Sequence, residues 1–321
     1  MRTGWKTASA MTVLAAGLAA LTVPGALYAQ VAAPELTPFS FVTVNPAAMQ
    51  WGKPSRIGAA YTKAELVTDP ATTTDKFEGG AAGLRLVERQ FSGAIDYSRL
   101  DSTSKPYGQT EYDEVVRAAL ALSLGKQISL GIGQTNEQTE TIGGFGPVRD
   151  TIETPLYGLT LRFGEGFFLG GAGGKESVKH VDLTFSRANY TTTRDAYMYG
   201  AGIRTAGEYV QAHFEYYVVD RGNYAESRLT GGRENSRTGV AELGFSDFLI
   251  GYAGTHTERE SGFPVTDESR VDIGFVPQRG FSLLGRGRFT RDTYPAGSFI
   301  SSRNTAAYTI AIVYQFRGFG F

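Results

Sequence analysis

His213 and Glu215 stand two residues apart in VQAHFEYYVV. On an extended chain they share one face, roughly 7 Å apart. An imidazole steered by a carboxylate can serve as a general base, but hydrolysis also needs a nucleophile within hydrogen-bond reach. The sequence places no serine beside this pair and the chain has no cysteine. The pair therefore reads as part of an internal ion-pair network, and the chain as a non-enzyme. His180, expected in a polar loop, and His256, near the end of a predicted strand, add no His, Asp and Glu spacing that would ligate a metal. FFLGGAGGKES, 167–177, has the outline of a phosphate loop, but Leu169 stands at its first glycine and Glu176 at its magnesium-binding hydroxyl. It reads instead as a glycine-rich strand, in which Gly170, Gly171, Gly173 and Gly174 allow a bend or a close approach. Asn189-Tyr190-Thr191 matches a glycosylation sequon. No cofactor is implied.

The elements that must position these residues are strands. Large apolar residues alternate with polar or small ones almost throughout, as in Val116, Ala118, Leu120, Leu122 and Leu124, or Val210, Ala212, Phe214, Tyr216 and Val218. This period predicts fourteen strands, roughly at 55–66, 77–87, 90–100, 111–124, 126–137, 151–163, 166–177, 191–204, 207–220, 236–246, 248–259, 267–277, 280–291 and 305–316. Odd strands are followed by long polar segments such as EQTETIGGFGPVRDT and KHVDLTFSRANYTT, even strands by tight links such as GKQ and FGEG. A strict alternation of long and short connections is the mark of an all-β transmembrane barrel, antiparallel and up-and-down, with short turns at one end and longer loops at the other. Aromatics sort likewise. Trp51, Phe91, Phe163, Phe167, Phe245, Phe248, Phe281 and Phe316 lie near the tight links, and Tyr97, Tyr107, Tyr112, Tyr190 and Tyr197 nearer the loops, as two interfacial girdles would require.

The start of the chain is consistent with such a fate. MRTGWKTASAMTVLAAGLAALTVPGALYAQ carries two basic residues, an apolar run and small residues ending at Ala29, which is expected to be a signal peptide over 1–29. Residues 30–54 then form a periplasmic or plug-like segment and 55–321 the barrel. With 31 basic against 32 acidic side chains, nothing points to nucleic acid.

Taking the apolar phase as lipid-facing turns Arg85, Asp96, Arg117, Arg162, Gln211, His213, Glu215, Glu242, Asp272, Arg286 and Arg288 into the lumen. Charges of both signs there either pair wall to wall or line a watery path, because an unpaired buried charge is costly. Fourteen strands enclose more space than an eight-stranded barrel fills with side chains. The proline-rich segment QVAAPELTPFSFVTVNPAAMQWGKPSR is therefore expected to occupy part of it.

AAYTIAIVYQFRGFGF, which ends the chain, resembles the closing strand of bacterial outer-membrane barrels, whose terminal aromatic is read by the barrel-assembly machinery; Tyr314, Phe316 and Phe321 are the candidates. NPAAMQWGKPSRIGAAY, 45–61, resembles the element before the first strand in the FadL-like (long-chain fatty-acid transporter) superfamily, with Asn45, Pro46 and Ala47 as the shared tripeptide. That resemblance implies a fourteen-stranded barrel with an N-terminal plug, set among outer-membrane lipid and lipopolysaccharide, that passively admits small hydrophobic molecules. It also implies a kinked strand that opens the wall sideways, for which Gly170, Gly171, Gly173 and Gly174 are candidates. A narrow water-filled porin and a non-transporting structural or assembly protein remain the alternatives.

Overall fold

Lipid offers a backbone no hydrogen-bond partner, so a strand that crosses a bilayer must be paired along both edges. The chain meets this demand by closing on itself. The computed structural model describes the residues from Asn45 onward, apart from 52–54, 70–72, 103–109, 144–145, 165, 183–188, 207–209, 226–231, 261–262, 278–279, 299–300 and 317–321. The expected signal peptide and Phe321 thus lie outside the described residues. A short 3-10 helix, Pro46–Trp51, leads into β1 (Ser55–Asp69), β2 (Thr73–Val87), β3 (Phe91–Ser102), β4 (Thr110–Leu124), β5 (Ile128–Gly143), β6 (Gly146–Phe163) and β7 (Phe167–Asp182). The second half comprises β8 (Tyr190–Ala206), β9 (Val210–Arg221), β10 (Glu234–Phe245), β11 (Phe248–Arg259), β12 (Val265–Phe275), β13 (Gly280–Thr293) and β14 (Ser302–Phe316). Each strand pairs antiparallel with the next, and β1 closes onto β14 from Ser55↔Phe316 to Asp69↔Ser302.

The period of two assigns every side chain to one of two environments. Outward lie Ile57, Leu120, Leu159, Ile250, Ile273, Leu283 and Ile310, all exposed as a lipid-facing belt requires. Phe91, Phe163, Phe245, Phe248 and Phe281 ring the belt at the tight-turn end. The other edge is marked by Tyr61, Tyr97, Tyr157, Tyr197, Tyr199, Tyr216, Tyr252 and Tyr308. This upper girdle only partly matches the tyrosines expected from the sequence. Tyr112 and Tyr190 sit higher, bonded to Glu140 and stacked on His180 respectively, and Tyr107 and the side chain of Trp51 fall outside the described residues.

Above the girdle the outer face turns polar while the ladders continue. Lys63 faces Glu78, Arg99 faces Glu114, and His256 faces Asp267 at 2.7 Å. This corrects the expected connections. EQTETIGGFGPVRDT is mostly strand, with Thr139 paired to Asp150 and only 144–145 between β5 and β6. His180 lies in β7 rather than in a loop. The link 70–72 between β1 and β2 is also short, so long and short connections do not strictly alternate. The physical reason is that cross-strand ion pairs and hydroxyls stabilise a solvated ladder without any apolar residue to betray it. Longer connections do remain at that end, at 222–233 and 294–301, whereas the opposite end keeps 125–127 and 246–247.

The natural absence of cysteine makes the topology directly readable. Asn223→Cys and Ala296→Cys are expected to react with a membrane-impermeant maleimide on intact cells, while Lys126→Cys and Asp247→Cys react only after lysis. Labelling of the second pair alone would invert the orientation.

Candidate functional site

The inner face of the barrel is rich in charge and almost wholly buried. Every cation that a described strand turns inward is an arginine or histidine, whereas Lys63, Lys76, Lys175 and Lys179 all face out. The guanidinium suits such a place because it is weakly hydrated and forks onto carboxylates.

Near the tight-turn end the filling is apolar. Ala47, Ala48 and Met49 have no exposed surface, and Met49 joins Ala94, Ala119, Leu249, Leu284, Ala311 and Val313, bringing opposite walls together. Asn45 anchors this element. Its side-chain amide donates to Leu159 O at 3.1 Å and Thr160 Oγ1 at 2.9 Å, and its Oδ1 accepts from the Ala47 amide at 3.0 Å. Arg85 donates to the Met49 carbonyl. The seat is cut by two glycines that face each other in register, Gly131 and Gly158. A Cβ on Gly158 would stand 2.0 Å from Asn45 Oδ1, and one on Gly131 2.3 Å from the Ala47 nitrogen. Nothing in the sequence separates a glycine that seats another segment from one that merely lines a strand.

The middle of the lumen is ionic. His213 lies fully buried between Glu242, 3.1 Å from Nδ1, and Glu215, 3.3 Å from Nε2. Both ring nitrogens face carboxylates, which leaves neither for a nucleophile. Asp272 accepts both arms of Arg286, at 2.6 and 2.9 Å, and Arg270 approaches it at 3.2 Å. Asp96 and Arg117 pair at 3.5 Å, Arg162 lies 5.8 Å from the Phe168 ring, Arg204 donates to Gln211, and Arg288 is buried opposite Arg270. The sequence-derived set is thus inward throughout, but it forms a distributed network rather than one constellation.

A second ionic layer lies toward the outer end, on β7 to β11, and was absent from that set. Glu176 takes Arg194 at 2.6 Å and Arg221 at 3.4 Å; Arg221 also bonds Glu234, which Arg259 meets at 3.2 Å. These strands are polar on both faces at this height, so hydrophobic phase could not say which charges point in. Between the two ionic layers lies a neutral section of Met198, Tyr217, Val219, Val240 and Ala253, with Leu156 against it.

Beside Leu156 the wall itself changes. The β6–β7 ladder runs from Val148↔Asp182 to Glu153↔Ser177, lapses, and resumes at Tyr157↔Gly173 in the same register. Pro155 lies in the lapse and has no N–H to give. Its carbonyl fills the place of a Gly174 side chain, 1.7 Å from where a Cβ would be. Of the four glycines expected to weaken the wall, Gly174 lies at this interruption. Gly170, Gly171 and Gly173 sit in paired ladder, and β7 is continuous with β8. At the chain's end, Tyr314 is outward and exposed and Phe316 closes β14.

The barrel as a whole has counterparts among solved structures. The CymD monoaromatic hydrocarbon channel superposes with a TM-score of 0.60 at 9% identity, covering 85% of this chain and 92% of that one. The fold is FadL-like. A FadL homologue of Pseudomonas aeruginosa gives a TM-score of 0.55 at 10% identity, over 85% and 93% of the two chains. The toluene transporter TodX of Pseudomonas putida gives 0.52 at 7%, over 86% and 94%. No protein-family model matches the chain, and no curated protein matches its sequence. Identities this low relate this FadL-like barrel to the others in fold alone.

Gly158→Ala is expected to dislodge Asn45 and lower stability by roughly 1–3 kcal/mol, the usual cost of overpacking. Gly239, whose Cβ would meet nothing within 4 Å, is the control. Gly239→Ala is expected to stay within about 0.5 kcal/mol of the wild type. Urea midpoints of the barrel refolded in lipid vesicles measure both.

Proposed function

We propose that the chain is an outer-membrane channel for the passive uptake of small hydrophobic molecules, aromatic hydrocarbons among them. The observation that carries this reading is the filled lumen. A diffusion pore for ions or sugars needs a continuous water column, whereas here His213, Glu242, Asp272 and Met49 have no accessible surface in the middle and lower lumen. The likeness in fold to hydrocarbon channels supports the same reading, and so does the apolar belt, which suits an outer-membrane site. The interruption between β6 and β7 offers such a solute a lateral path, because its neighbour Leu156 joins the wall to the neutral section inside.

Two measurements test this. In planar bilayers the purified protein is expected to be nearly silent to potassium chloride, while cells carrying it take up labelled toluene faster than cells without it. Steady conductance without toluene uptake would instead support a narrow porin. Pro155→Cys with Lys175→Cys places two outward thiols opposite each other across the interruption. Oxidation is expected to slow toluene uptake severalfold and reduction to restore it; uptake indifferent to the staple would move the path elsewhere.

A further inference from the structure

We propose that the outer mouth of the barrel holds a binding site for a small phenol, and that the chain's own Tyr224 fills it. After β9 the chain parts from β10 but stays on β8: the Gly222 amide donates to Asp195 O at 2.8 Å and the Ala225 amide to Thr193 O at 2.9 Å. This course turns Tyr224 over the upper ionic layer. Its ring lies 4.5 Å from the Arg194 guanidinium carbon, and its hydroxyl donates to Glu176 Oε1 at 3.4 Å.

The two groups that hold the phenol are set without it. Glu176 is only 4% exposed and is fixed by Arg194 and Arg221. Arg194 is fixed in turn by the same carboxylate and lies over the ring, a cation–π arrangement. The hydroxyl contact is long for an O–H···O bond, which normally settles near 2.7–2.8 Å. Tyr224 is tethered by the backbone bonds on either side, whereas a free phenol can close that gap. Beneath the site, Met198, Val219 and Leu156 offer an apolar floor for a ring substituent. The chemistry discriminates between ligands. A plain hydrocarbon leaves Glu176 to its two arginines and adds no hydroxyl donor, and an aromatic carboxylate sets like charge against it. An aromatic alcohol satisfies both the guanidinium face and the acceptor. This deepens the channel reading by naming a substrate class, and rests on that reading only in taking the ligand to arrive from outside.

The probe is p-cresol, with toluene and benzoate as comparators, titrated calorimetrically into the purified full-length barrel in detergent. Tyr224→Ala empties the site, and its p-cresol affinity is expected to exceed the wild type's by about tenfold, with little gain for toluene or benzoate. Adding Glu176→Gln is expected to erase the preference for cresol over toluene. Heat-modifiable mobility on a gel verifies assembly of each variant. Should Tyr224→Ala fail to assemble, Tyr224→Phe frees the acceptor while keeping the ring, and a gain of about threefold is expected. Unchanged cresol affinity, or a gain shared equally with toluene, overturns the site. Its failure is distinguishable from failure of the channel reading. Toluene uptake with no cresol gain removes the phenol site alone; a cresol gain without toluene uptake removes the channel reading alone.

Discussion

The hydrogen-bonded seam between β1 and β14 is what the rest of the structure stands on. It joins residues near the two ends of the described chain, Ser55 to Phe316, and leaves no free strand edge in a place where lipid could not satisfy one. Once the seam is made, the circumference is set and every strand presents one face to lipid and one to a narrow interior. The outer face is solved cheaply by Ile, Leu, Phe and Tyr. The inner face is the harder problem, because fourteen strands leave a space too wide for small side chains and too dry for loose charges.

Two solutions are used side by side. At the tight-turn end a segment from outside the wall is drawn in, and glycines opposite each other on β5 and β6 let its backbone lie directly on the sheet. Further up, arginines and carboxylates of neighbouring strands pair along the wall rather than from wall to wall, and neutralise one another. Buried ion pairs contribute little net stability, since desolvation offsets much of their attraction, but removing one partner is severe. The inner network therefore acts more as a constraint than as a source of stability. Its members must all be present together, and a charge that moves must find another partner.

How much of this could be read in the sequence follows from the same division. Strand number, barrel closure and the inward phase of His213, Glu242 and Asp272 were legible because each lies opposite an apolar lipid-facing residue. The upper layer of Glu176, Arg194, Arg221 and Glu234 was not, because above the tyrosine girdle water bathes the outer face and both phases are polar. The same cause made β5 and β6 look shorter than they are. For the same reason the expected connections 67–76 and 138–150 shrink to 70–72 and 144–145, and His180 falls in a strand instead of a loop. The importance of Gly131 and Gly158 depends on a segment more than seventy residues away, a relation no local pattern encodes.

The two ionic layers also bear on the direction of travel. A solute moving straight down the axis would pass the layer of Glu176, Arg194 and Arg221, the neutral section, and His213 with its two glutamates, and would then have to displace Met49 from the apolar cluster at the tight-turn end. Each ionic layer holds buried charges, and an apolar solute offers them no hydrogen bond in exchange for those it disturbs. Leaving sideways from the neutral section asks much less. At Thr154–Leu156 the ladder to β7 has already lapsed, so separating the strands there breaks few backbone bonds, and the atoms that part are those of Pro155, Leu156 and Gly174. The cost of the axial path is electrostatic and that of the lateral path chiefly van der Waals. For a molecule without charge or hydrogen-bonding groups, only the second can be offset by the solute itself, as its own surface replaces the contacts it displaces.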